Sequence, residues 1–125
     1  MKCITPQNTV AVGPYSPAIK INNFVFTSGQ IGVNEESKLV SDNITEQTKR
    51  ALCNLKTVIN AAGANICSIV KVTIFLTNMD DYTQVNEIYG AFLEGHKPAR
   101  STVAVAKLPM NAKIEIEAIA ITNGN

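Results

Sequence analysis

Apolar and polar positions along the chain repeat on two different periods, and the changes of period mark out its elements. Ala18-Ile19-Lys20-Ile21 and Phe24-Val25-Phe26-Thr27 are short strand-forming runs on either side of Asn22-Asn23, a pair that tolerates the positive φ of a tight turn, and together they predict a β-hairpin. Between Thr45 and Ala62 the spacing becomes helical, with Leu52, Leu55, Val58, Ile59 and Ala62 on one stripe and Gly63 where a glycine commonly ends a helix. Asn43 followed by Glu46 predicts a capping box, and Glu46 with Arg50 an i,i+4 ion pair. Ser68 to Thr77 (SIVKVTIFLT) is rich in β-branched residues and reads as a strand. Thr77-Asn78-Met79-Asp80 then offers caps for a second helix, whose apolar face is Tyr82, Val85, Ile88, Tyr89 and Phe92 and whose end is Gly95. Two more strands are predicted, Thr102 to Ala106 and Lys113 to Thr122.

Strands separated by two crossover helices predict an α+β sandwich in which both helices cover one face of a mixed sheet. The final strand tests the idea. Ile114, Ile116, Ala118 and Ala120 lie on one of its faces, and Glu115, Glu117, Ile119 and Ile121 on the other. A second face that met only water would not carry Ile119 and Ile121, so that face is expected to meet another subunit.

Length and composition narrow the function. At 125 residues the chain is of single-domain size, one domain over residues 1–125, and needs no metal or disulfide staple. A net charge of +1 with scattered lysines lacks the basic field that attracts nucleic acid, so no nucleic-acid partner is expected. Neither a signal peptide nor a membrane-spanning run is present in the sequence, which points to a cytoplasmic protein with no membrane partner. Three widely spaced cysteines, none in a CxxC pattern, and a single histidine predict neither a disulfide framework nor a metal site.

The chemistry concentrates in a few segments. Arg100 stands at the mouth of an apolar run (KPARSTVAVA), where a guanidinium needs a partner or a ligand; a structural ion pair is the plainer alternative. Glu117 lies where the second face of the last strand turns from polar to apolar and is a candidate partner, although Glu115 and Glu117 also fit two solvated edge carboxylates. Gly13-Pro14-Tyr15-Ser16-Pro17 is a constrained loop that presents an aromatic hydroxyl. The two glycines of Ser28-Gly29-Gln30-Ile31-Gly32 suggest either a β-bulge or backbone N–H groups open to an anionic oxygen.

Taken in order, GPYSPA, FTSGQIG, the AAGA that ends the first helix, VKVTIFLTNMDDY, VNEIYGAF, KPARSTV and KIEIEAIA resemble the RidA/YjgF family of enamine/imine deaminases over nearly the whole chain. The resemblance implies a chorismate-mutase-like α+β fold, a homotrimer, and a site in the cleft between adjacent subunits that uses no metal or cofactor. It also implies hydrolysis of 2-aminoacrylate-type enamines and imines, released by pyridoxal-phosphate dehydratases, to 2-keto acids and ammonium. On this resemblance Arg100 binds the substrate carboxylate, Glu117 orients water and moves protons, and Tyr15, Ser28, Gly29 and Asn86 line the cleft. Many members carry cysteine where this chain has Thr102, which offers a hydroxyl and an N–H but no thiolate chemistry. Lys107 is assigned no role. A keto-acid sensor using the same cleft is the alternative function. RNA cleavage is disfavoured by the near-neutral charge and the lack of a histidine pair.

Overall fold

The computed structural model of the chain describes residues 1–6 and 13–122, where one six-stranded sheet carries two helices. In chain order the elements are β1 (Lys2–Ile4), β2 (Ala18–Ile21), β3 (Phe24–Thr27), α1 (Ile44–Ala61), β4 (Ile69–Leu76), α2 (Tyr82–Leu93), β5 (Ala99–Ala104) and β6 (Ile114–Ile121). The sheet order is β1-β2-β3-β6-β4-β5, antiparallel except for the β4–β5 pair, which α2 connects as a parallel crossover. The expected mixed sheet with both helices on one face is the observed fold. Strand β1 was not expected: three residues at the chain start show too little alternation to stand out.

Each predicted element rests on the residues that announced it. Asn22 takes φ 53° in the β2–β3 turn. The Asn43 side chain accepts the Glu46 N–H at 3.2 Å, and Gly63, at φ 87°, turns the chain away after α1. Asn78 caps a short 3-10 turn, Met79–Asp81, that leads directly into α2. The predicted Glu46–Arg50 pair is corrected. Arg50 reaches across to Glu35 at 3.2 Å, Val33 O at 3.0 Å and Asn54 Oδ1 at 3.1 Å, because tethering the 31–35 loop satisfies more of its donors than a solvated helix neighbour would.

The core lies between the sheet and the helices. Leu52, Leu55 and Ile59 of α1 share one buried cluster with Val85 of α2 and with Val25, Ile74, Leu76, Ile114 and Ile116 of the sheet. Residue by residue, β6 alternates as expected: Ile114, Ile116, Ala118 and Ala120 are buried, whereas Glu115, Glu117, Ile119 and Ile121 point to the uncovered face. Gln47, almost fully buried, is satisfied from both ends, donating to Ser41 O and accepting the Lys113 N–H. Gly32 lies so close to α1 that a Cβ would stand 2.6 Å from Gln47 O. The lone histidine is structural, with His96 Nε2 2.7 Å from Ile69 O.

Strand β5 begins earlier than its apolar alternation suggests. It pairs with β4 from Lys71↔Ala99 to Leu76↔Ala104, so Arg100 sits inside the strand, and Val105 and Ala106 lie beyond it because β4 has ended. The uncovered face is apolar at the hairpin end. Register places Phe24 against Ile121 and Ile21, and Phe26 against Ile119 and Ile19. Phe24 and Phe26 remain 45% and 42% exposed, a large aromatic area for a chain to leave in water.

Candidate functional site

The sheet divides the predicted residues into two groups. Arg100 is paired with Val72 and Thr102 with Ile74, both buried beneath the helices, so Arg100 and Thr102 project toward α2. Glu117 pairs with Thr73 and projects from the opposite, uncovered face. Since β4 lies between β5 and β6, two strand spacings, roughly 10 Å, separate the two backbones as well. The expected contact between Arg100 and Glu117 is therefore not made within one chain.

Arg100 is held instead by two tyrosines of α2. Its Nη2 donates to the Tyr82 hydroxyl at 2.9 Å, and the guanidinium carbon lies 4.9 Å from the Tyr89 ring centroid and 5.6 Å from that of Tyr82. Tyr82 and Tyr89 are seven residues apart, two helical turns, and so present one continuous aromatic surface to β5. Asn86, between them on the helix, and the Arg100 charge together pull the Tyr82 phenol below its ordinary pKa. Burial pushes Tyr89 the other way, against the opposing pull of Arg100. The hydroxyls of Tyr89 and Thr102 are buried and find no hydrogen-bond partner among the described residues. Sequence reasoning placed both tyrosines only on the apolar face of the helix. Their spacing two turns apart, opposite a strand carrying an arginine, was the available signal.

The second group lies on the uncovered face. Ser28 anchors the preceding loop, its hydroxyl donating to Ser16 O at 2.6 Å and its N–H to Pro17 O at 2.8 Å, which fixes where Tyr15 emerges. Tyr15 is exposed, and its ring lies beside Gly13. Reciprocal backbone bonds between Gln30 and Ile116 carry the SGQIG segment along β6. That pairing turns Gly29 toward the uncovered face, where the Glu115 side chain occupies the space a Cβ would need, with Oε2 2.2 Å from that position. The two readings of the glycine meet here: it extends the sheet edge, and it admits a carboxylate against the backbone.

Glu115 differs from the solvated edge residue expected. Burial raises its pKa, and the neighbouring charge of Glu117 raises it further, since a second negative charge nearby disfavours ionisation. The distinguishing feature is the missing Cβ of Gly29, which the sequence offered as a glycine in a strand without saying which side chain fills the gap. Among the described residues no group of histidines, cysteines and carboxylates is arranged to hold a metal ion, and all three cysteines are free and exposed.

A guanidinium fixed beside tyrosines and a half-buried carboxylate beside a glycine suit a small planar acid. The family model described as endoribonuclease L-PSP matches residues 5–122. The chain belongs to that family, the RidA/YjgF family. It is 49% identical over 117 residues to Reactive Intermediate Deaminase A, chloroplastic, of Arabidopsis thaliana, which covers 93% of the chain; the chain in turn spans 63% of that plant protein. Against 2-iminobutanoate/2-iminopropanoate deaminase of Escherichia coli it is 42% identical over 124 residues, 96% of this chain and 97% of that one. The crystal structure of E. coli TdcF with bound serine superimposes with a TM-score of 0.92 at 38% identity, covering 98% of this chain and all of TdcF. No helix among the described residues is long and apolar enough to cross a membrane.

Proposed function

We propose that the chain is an enamine/imine deaminase that hydrolyses 2-aminoacrylate-type compounds to 2-keto acids and ammonium in the cytoplasm. The observation that carries this reading is the division of the site. One chain offers a carboxylate-binding arginine at a sheet edge and a half-buried carboxylate on an uncovered apolar face, and neither can serve the other until a second copy is brought up. A homotrimer closes three such clefts, with Arg100, Thr102 and Asn86 from one subunit facing Tyr15, Ser28, Gly29 and Glu115 of the next. Phe24, Phe26, Ile119 and Ile121 supply apolar area for the interface.

The chemistry asks little of this site. The enamine takes a proton on carbon to become the imine, and water then adds to the C=N carbon as the nitrogen is protonated. The C–N bond breaks as the carbonyl forms, and ammonia leaves to take its proton as ammonium. Arg100 holds the substrate carboxylate through parallel N–H donors. A carboxyl that keeps its proton at one stage and returns it at the next suits both proton movements, and Glu115 fits that role better than Glu117, which tunes it through charge. No metal or cofactor enters this scheme. Relatives named as imine deaminases support the reaction, and bound serine in TdcF supports a cleft for small amino- or keto-acids.

The test is a coupled assay in which a pyridoxal-phosphate dehydratase generates 2-aminoacrylate and pyruvate release is followed with and without the protein. Glu115→Gln is expected to slow release about 100-fold, and Glu117→Gln less than about tenfold. A protein that binds pyruvate calorimetrically yet leaves release unchanged would be a sensor and would overturn the catalytic reading. The reverse ranking of the two glutamates would return the proton-transfer role to Glu117.

A further inference from the structure

The Tyr82 oxygen accepts an N–H from Arg100 Nη2 at 2.9 Å. A phenol oxygen that accepts from a guanidinium still carries its own O–H, which is free to be given to another acceptor. The guanidinium is constrained in turn. One of its five N–H bonds goes to Tyr82 and one face lies over the Tyr89 ring, which leaves four N–H bonds and a fixed plane for an incoming anion. Tyr82 is 38% exposed, so the pair is not sealed from solvent.

We propose that Tyr82 is a positioning residue that sets the plane of the Arg100 guanidinium for two-point capture of a carboxylate and gives its remaining O–H to that same anion. The inference rests on the reading of Arg100 as the carboxylate-binding group and adds to it a three-donor grip: two N–H bonds from arginine and one O–H from tyrosine. A preset plane avoids ordering a long side chain at the moment of binding, so the gain falls on affinity for the acid rather than on the later proton transfers. A ligand without a carboxylate receives none of it.

Tyr82→Phe isolates the hydroxyl, because it keeps the ring that lies against Arg100. Calorimetric titration with pyruvate is expected to show affinity about three- to tenfold weaker, the net worth of one or two half-exposed hydrogen bonds. In the coupled assay KM should rise by the same factor while kcat stays within about twofold. In an Arg100→Lys background Tyr82→Phe should cost clearly less affinity than in the parent, since the plane it sets is gone and only its own O–H contact is left to lose. Unchanged pyruvate affinity in Tyr82→Phe, or an equal loss in both backgrounds, would overturn the positioning role. If Arg100→Lys alone leaves pyruvate binding intact, the reading of Arg100 fails first, and its failure is distinguishable because the tyrosine variant is not involved.

Discussion

Replacing Gly29 by alanine asks whether the carboxylate of Glu115 must stand where it does. The backbone at Gly29 does not lie in the left-handed region, so alanine is admissible there, and the three nearest atoms it meets all belong to the Glu115 side chain. An added Cβ would be 2.2 Å from Oε2, 2.6 Å from Cδ and 2.8 Å from Cγ. Restoring ordinary contact at 3.4 Å requires Oε2 to retreat by about 1.2 Å, and the short Cγ distance means the whole side chain must change rotamer. The strain is small, about 1 kcal/mol, because a half-exposed glutamate has open face to move into. A melting temperature lowered by only a few degrees is therefore expected. The catalytic cost is far larger, since displacing a reacting group by about 1 Å commonly lowers rate about 100-fold. Thermal melts beside the 2-aminoacrylate assay should show a folded, nearly inactive protein, and Gly29→Ala combined with Glu115→Gln should be little worse than either alone. A folded alanine variant with activity within about threefold of the parent would refute the placement of Glu115 in the chemistry.

Arg100→Lys keeps the charge but loses the planar fork; it is expected to fold and assemble normally yet lose most activity, and near-parent turnover would show that two-point capture is not needed. Phe26→Asp puts a charge in the middle of the uncovered face at the cost of several kcal/mol per interface, so sedimentation equilibrium at low-micromolar concentration should change from trimer to monomer mass. A monomer mass for the unaltered chain would remove the between-subunit site itself. Glu115 has a raised pKa in the folded chain, so the folded state binds its proton more tightly than the unfolded state does, and the resulting stability is full at low pH and lost as pH rises through the folded value. Urea melts of Glu115→Gln should accordingly gain on the parent as pH rises above the ordinary carboxylate range, and a gap that stays constant with pH would contradict the burial of that carboxyl.

Local physics alone determined much of this protein. Helix α1 was legible from Leu52, Leu55 and Ile59 at helical spacing, the hairpin from Asn22-Asn23, and both faces of β6 from strict alternation, because each signal is a property of neighbours in the chain. Seven ordered motifs likewise carried the family. What adjacency could not supply was which side of the sheet each functional residue would take. Arg100 and Glu117 were legible as an opposite-charge pair, but the parallel register of β4 with β5 turns one toward α2, and the antiparallel register of β4 with β6 turns the other away. The partners of Arg100, Tyr82 and Tyr89, were hidden in an apolar stripe, since whether a tyrosine serves a core or a cation depends on what packs over it. The sequence singled out Glu117 rather than Glu115, two residues away on the same face, because Glu117 stands nearer its apolar end. Only the tertiary fold brings Glu115 forward, by laying the bare Cα of Gly29 beneath its carboxylate, where lost solvation raises the cost of its charge.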